Sequence, residues 1–403
     1  MFNSYKKINS DVLFLVAAEI SLQLVNTAFL FILLIYMQNE GFTDYEGAHF
    51  VKVRFLTVLL VSIPLGYYVK GKKIIPLFYI SSALVPVSSL ALIYAIEHHQ
   101  YFLLYTMQIT WGIGFVFMMV SGLPYILRNS SPDTLTQSIS LSHIAWSAGG
   151  IISGAIIFSG DLILGKGNEK LILQIISCLS FISFFFILRM KKDALGEPIQ
   201  TEKKHDYDWK IIFKAMMPTA IIAIGAGLTI PFISLFFVNI HQISSGTFAF
   251  AGTITLILVT ISTLFVPEIK SRWGFKKAVP VTQSLAVATL ILLAFTELMT
   301  KNSWVVYLAL FLYIVRQPLM NLAAPMTSEV TMLYVGEKNR EMASALTSSI
   351  WSGSWFFSAQ VFEYLRKAEI RYYIIFLMTA LLYSFGIIMY YRLISEFERQ
   401  KKQ

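Results

Sequence analysis

Charged residues in this chain are gathered into short segments that separate long apolar runs, and this segregation constrains the fold before any motif is read. Twelve runs, at approximately 12–37, 47–69, 74–96, 102–126, 138–160, 170–189, 211–240, 247–267, 278–299, 304–327, 343–365 and 372–393, reach the length of about 20 apolar residues that a helix needs to cross a bilayer. Charged residues make up 14% of the sequence and apolar residues 56%, with a mean hydropathy of +0.65. A soluble domain carries about 25% charged residues, and 403 residues with so few charges could not cover a surface that faces water. The pattern predicts an all-α membrane protein of about twelve transmembrane helices.

The runs divide six and six around one long polar interval, Met190 to Lys210. This predicts an N-terminal six-helix bundle over 1–190, a cytoplasmic linker over 191–210 and a C-terminal six-helix bundle over 211–403. Lysine and arginine orient the whole. With the N-terminus in the cytoplasm, 22 of the 32 basic residues fall in inside segments and 8 in outside ones, while Lys214 and Arg316 lie within runs. That bias places both termini and the linker in the cytoplasm. The net charge of +9 is therefore an orientation signal and not a nucleic-acid footprint. The first run, Val12 to Met37, is too long for the core of a signal peptide and reads as a retained helix. The single cysteine, Cys178, lies inside an apolar run and reads as a small buried residue, which excludes an intrachain disulfide and a cysteine-based metal site.

The two halves echo each other. The end of the second run and the turn beyond it read Pro64-Leu-Gly-Tyr-Tyr-Val-Lys70-Gly71-Lys72-Lys73, and 203 residues later comes Pro267-Glu-Ile-Lys-Ser-Arg272-Trp-Gly274-Phe-Lys276-Lys277. Each has a proline, a glycine seven residues on, and then cations. Glycine permits a sharp turn, and cations anchor it at an anionic leaflet. A second echo, at a spacing of 205, sets Leu141-Ser142 and Trp146-Ser147 against Leu346-Thr347 and Trp351-Ser352. Parallel repeats of this kind are one of the transporter architectures.

On these features the chain resembles, over its whole length, a bacterial-type secondary transporter of the major facilitator superfamily. That family's turn signature, Gly-x-x-x-Asp-Arg-x-Gly-Arg-Lys, is matched at its end by Gly71, Lys72 and Lys73, and in the second half by Arg272, Gly274 and Lys276. The resemblance implies two pseudo-symmetric six-helix bundles, transport by alternating access without a cofactor, and a multi-pass monomer in the inner (cytoplasmic) membrane. The signature's acidic residue, which latches the halves in the family, falls here on Tyr68 and Ser271, with Glu268 as a substitute; its leading glycine falls on Pro64 and Pro267. The antiporter run of helix five keeps Gly149, Gly150 and Gly154 but no proline, and Gln108 and Trp111 stand near the place of the arginine expected in helix four.

Polar groups inside the runs are the candidates for function, because each is costly to bury. Glu19 lies about seven residues, roughly 10 Å, into the first run, and Gln23 and Asn26 share its helix face. That face either bonds to a neighbouring helix or contacts substrate and proton. His143 is the second candidate for proton coupling, at the head of a stripe with Ser147, Gly150 and Gly154 that otherwise reads as close helix packing. Arg316 lies about twelve residues, roughly 18 Å, into the tenth run, near the midplane where transporter sites lie. It cannot escape by losing its proton, and its burial costs about 2.5–3.5 kcal/mol on insertion scales. It therefore either captures an anionic or carbonyl-bearing group with its planar fork or forms a structural ion pair, for instance with Glu19. Gln108, Trp111, Trp351 and Trp355 complete the candidate binding set, the mid-helix tryptophans suiting either an amphipathic or flat substrate or plain core packing. Gly225, Gly227 and Pro231 mark a bend in the seventh run. Lys52 and Arg54, toward the outer end of the second run, read as snorkelling cations or as an anion lure.

No catalytic motif or phosphate-binding loop is present, and the six histidines are not grouped as metal ligands. The sequence thus reads as a non-enzymatic membrane transporter of a small molecule, driven by an ion gradient and most simply by protons. A lipid or lipid-linked flippase is the alternative within transport, and a receptor or scaffold the alternative outside it. The orientation is open to a direct check. In a Cys178→Ser background, a cysteine at Lys203 should react with an impermeant maleimide only after the membrane is opened, and labelling in intact cells would reverse the topology.

Overall fold

The computed structural model describes residues 8–69, 72–131, 134–191 and 207–400. Among these residues twelve helices follow one another and no strand occurs: α1 Ser10–Asn39, α2 Asp44–Val69, α3 Ile75–Glu97, α4 Tyr101–Asn129, α5 Leu135–Leu164, α6 Glu169–Leu188, α7 Trp209–His241, α8 Ser245–Leu264, α9 Val266–Met299, α10 Val305–Val335, α11 Arg340–Lys367 and α12 Tyr372–Gln400. Eleven of them are long and apolar enough to cross a bilayer. The exception, α11, has 28 residues but carries Ser349, Ser352, Ser354, Ser358 and Gln360 along its middle. Ser354 and Ser358 are buried, so part of this polarity faces protein rather than lipid.

The chain divides into two compact units, Met1–Glu202 with Ser244–Phe250, and Lys203–Ile243 with Ala251–Gln403. Most of the interval expected to be a linker lies outside the described residues. The first turns of α8 belong to the first unit, where Ser244 donates to Asp161 at 2.7 Å and Ser245 donates to the buried Glu169 at 2.7 Å.

The packing inside the two units repeats. In the first, α1 packs on α5 and α6, and α3 on α4 and α6; in the second, α7 packs on α11 and α12, and α9 on α10 and α12. Two serines spaced 205 residues apart mark the correspondence. Ser153 on α5 donates to the Leu24 carbonyl of α1 at 2.9 Å, and Ser358 on α11 donates to the Ile224 carbonyl of α7 at 2.7 Å. In an apolar surround, small residues let backbones approach and their hydroxyls bond across the contact. α1 and α7 are also the most enclosed helices, with 83% and 78% of their apolar windows buried, against 28% for α5. Each is interrupted past its middle: α1 by a π-helical turn at Phe29–Leu33, and α7 by a 3-10 turn at Ile230–Phe232, where Pro231 removes a backbone donor.

Sequence and structure part at two residues of the first unit. Cys178 is exposed rather than buried, because the buried face of α6 runs through Ile172, Leu173, Ile176, Ser177 and Ser180. Arg54 does not snorkel; it is enclosed by protein, as described below.

The close approach of α1 and α5 rests on Gly149. A Cβ added there would lie 2.5 Å from the Gln23 Cβ and 2.8 Å from the Ile20 carbonyl oxygen. Gly149→Val should therefore push the helices apart and lower stability by about 1–3 kcal/mol, the usual effect of overpacking. Thermal unfolding of the purified variant in detergent reads this, and an unchanged transition would show that the contact is not tight.

Candidate functional site

In the first unit, α1 supplies a polar stripe to a small recess lined by Glu19, Leu22, Gln23, Phe115, Met118, Met119 and Trp146. Glu19 is only 5% exposed, yet no cation pairs with it among the described residues. Its carboxylate accepts a hydrogen bond from Ser142 on α5 at 2.8 Å. On its other side α4 passes so close that a Cβ at Gly122 would lie 2.7 Å from the Glu19 Oε1. A bulkier residue at 122 would fill the space that holds this oxygen. Four positions further along α1, Gln23 is buried and accepts from Asn26 at 2.9 Å, so the two amides on this face bond to each other. His143, next to Ser142 in sequence, is exposed and stands apart from the recess lining, because one step along α5 turns a side chain to another face. Trp146, in sequence only a mark of the repeat, faces the recess.

Gln108 and Trp111 on α4 are brought together with Arg54, whose place toward the outer end of the second run suggested a snorkelling cation or an anion lure. Arg54 is 7% exposed, and its Nε donates to the Gln108 Oε1 at 2.8 Å. Its guanidinium lies over the Trp111 ring at 4.3 Å and over the Phe29 ring at 5.0 Å. Lys52 and Arg54 are two apart on one helix, so they point in different directions, and only the helical phase separates the buried cation from its half-buried neighbour. No single-residue rule shows that phase when α2 is apolar nearly all round.

In the second unit Arg316 sits mid-way along α10 and is 1% exposed. Its Nη2 donates to the Tyr383 hydroxyl on α12 at 3.4 Å, and its guanidinium lies 5.9 Å from the centre of that ring. Its Nε and Nη1 have no hydrogen-bond partner among the described residues. Of the α11 tryptophans, Trp351 is 38% exposed, and Trp355 packs with its Cα against Gly227 of α7, where an added Cβ would lie 3.1 Å away.

The basic turns differ in kind. Gly71 lies outside the described residues. Next to it, Arg128 at the end of α4 donates to the carbonyls of Lys72 at 2.8 Å and Val69 at 2.7 Å, fastening the α2–α3 connection, and Lys72 and Lys73 are exposed. In the second unit Gly274 interrupts α9 with φ 61° and ψ 175°, a conformation that side chains with a Cβ avoid. Arg272 donates to Glu268 at 2.5 Å, so Glu268 is engaged within its own turn. Lys270 pairs with Glu329 of α10 at 2.7 Å, and Lys276 lies over the Tyr391 ring at 5.5 Å. No group of three or more histidine, cysteine, aspartate or glutamate side chains suited to a metal occurs among the described residues.

The sequence profile of the Major Facilitator Superfamily matches residues 15–359. No curated protein sequence matches the chain. Among solved structures, the nucleoside transporter NupG (D323A mutant) is similar with a TM-score of 0.77 at 12% identity, covering 96% of this chain and 99% of that one. A bacterial homologue of the iron transporter ferroportin, in an inward-facing state, has a TM-score of 0.72 at 14% identity, with 94% and 98% covered. A D-xylose-proton symporter has a TM-score of 0.69 at 13% identity, with 94% and 96% covered. At these identities the likeness is one of fold.

The unpaired donors of Arg316 make a testable statement about stability. Replacing a buried charge that lacks full compensation by an apolar side chain of similar length is often neutral or stabilising. Arg316→Met should therefore leave the thermal transition of the purified protein unchanged or raise it. A loss of more than about 3 kcal/mol, the scale on which breaking a buried ion pair destabilises, would show that Arg316 is a structural residue.

Proposed function

Because the chain belongs to the major facilitator superfamily, a family of membrane transporters, we propose that it carries a small molecule across the bilayer by alternating access, coupled to protons through Glu19. The observation that carries this reading is the setting of Glu19: a buried carboxyl on a recess wall, held by one hydroxyl and by no cation among the described residues. An isolated buried carboxylate is costly. A group so placed can take up a proton when the recess is open to one side of the membrane and lose it when open to the other. The fold likeness to a D-xylose-proton symporter supports the proton as the coupling ion. His143, exposed on α5, is the second proposed carrier.

On the substrate side, Arg316 would hold an anionic or carbonyl group, with Glu19, Gln23, Asn26, Gln108, Trp111, Trp351 and Trp355 completing the binding set. Residues 1–190 and 211–403 would form the two moving halves, joined by a cytoplasmic linker at 191–210. The turns at Gly71, Lys72 and Lys73 and at Arg272, Gly274 and Lys276 would limit the exchange between states. The protein would act as a monomer in the inner membrane with both termini in the cytoplasm, the orientation that the basic residues favour.

The test begins with a metabolite screen by thermal shift and continues in liposomes with an imposed pH gradient. Glu19→Gln keeps the shape and removes the titration. Gradient-driven accumulation of the identified substrate should fall by about tenfold or more, while exchange without a gradient persists. Undiminished proton-driven accumulation in Glu19→Gln would remove this residue from the mechanism.

A further inference from the structure

Arg54 lies about 15 Å from the start of α2 and is enclosed by protein, and no carboxylate pairs with it among the described residues. Around it stand three buried donors without a hydrogen-bond partner among those residues: Arg54 Nη2, Gln108 Nε2 and Trp111 Nε1. The three side chains touch one another, Arg54 bonding to Gln108 and stacking on Trp111, and Gln108 and Trp111 lie three apart on one face of α4. Arginine and the indole nitrogen offer no acceptor. The acceptor oxygen of Gln108 already receives Arg54 Nε. The cluster is therefore rich in donors, with one net positive charge and its single acceptor oxygen already engaged, and an acceptor-rich anion suits it.

The backbone holds the cluster tightly. α2 and α4 meet at Gly112, where an added Cβ would lie 3.1 Å from Thr57 Cβ and 3.4 Å from the Arg54 carbonyl oxygen. α1 contributes Phe29 at the start of its π-helical turn, a feature that recurs at functional sites. From Trp111 an aromatic series leads to the recess: Trp111 stacks on Phe115 at 4.9 Å and 13°, and Phe115 meets Trp146 edge-on at 5.9 Å. Phe115 and Trp146 both line the recess that holds Glu19.

We infer that the first unit contains a binding site for the carboxylate of a small aromatic acid, with the carboxylate on Arg54, Gln108 and Trp111 and the ring against Phe115 and Trp146. This deepens the transport reading by giving the substrate a chemical class, and it rests on that reading only in taking the bound acid to be the cargo. Binding is measured without a gradient, so the two fail separately.

The experiment uses the full chain in detergent, with benzoate as the probe. Benzoate should raise the thermal transition and quench tryptophan fluorescence saturably. Benzamide, its neutral counterpart, and inorganic phosphate, which lacks the ring, should do neither. Arg54→Lys keeps the charge but loses the fork and the stacking plane, and should weaken benzoate binding about tenfold or more. Trp111→Phe keeps a ring and deletes one donor, and should weaken it severalfold; it carries the test alone if Arg54→Lys does not elute as a folded monodisperse species. No binding of benzoate to the wild type, an equal response to benzamide or phosphate, or wild-type affinity in Trp111→Phe would overturn the site.

Discussion

A polar group buried in hydrocarbon has to find its partner within the protein, and the organisation of this molecule follows from that requirement. The backbone meets it by forming helices. The side chains meet it on the most enclosed helices, where water and headgroups are out of reach. In the first unit the polar face of α1 is met by Ser142 for Glu19, by Asn26 for Gln23 and by Ser153 for the Leu24 carbonyl. Two of these donors come from α5, which can approach only because Gly149 lacks a side chain. Remove the close approach and the carboxyl loses its hydroxyl and the recess loses its wall.

The same requirement gives meaning to the groups that are not satisfied. Arg54 and Arg316 are both enclosed, both lean on aromatic rings, and both retain donors without partners among the described residues. A structural cation would be expected to have collected a carboxylate, because an uncompensated buried charge weakens the fold. Trp111, on which Arg54 stacks, and Arg316 are separated by 205 residues, the spacing that also relates Ser153 to Ser358. The two repeats thus bring a guanidinium to the corresponding level of α4 and α10 by different means, one from α10 itself and one from α2 across to α4.

Much of this was legible in the sequence because lipid imposes a simple rule on composition. Long apolar runs, cations gathered between them and a proline–glycine–cation turn repeated after 203 residues are one-dimensional signals, and they carried the all-helical class, the six-plus-six division and the family resemblance. The solved structures similar in fold share only 10–14% identity with this chain, since a lipid-facing surface asks for apolarity and not for particular residues. Glu19, Gln23, Asn26 and Arg316 stood out for the same reason, as polar side chains where polarity is costly.

What the sequence could not supply was the direction in which each side chain points. Arg54 looked like a cation near a helix end and proved to be enclosed by Gln108, Trp111 and Phe29. Cys178 looked buried and proved exposed, and the difference is a rotation about the α6 axis. Ser142 and Trp146 looked like marks of a repeat and proved to be the partner of Glu19 and a wall of its recess. In a helix apolar on every side, periodicity gives no reference for rotation, so composition determined that these segments enter the membrane, and only packing between helices decided which of their polar atoms meet.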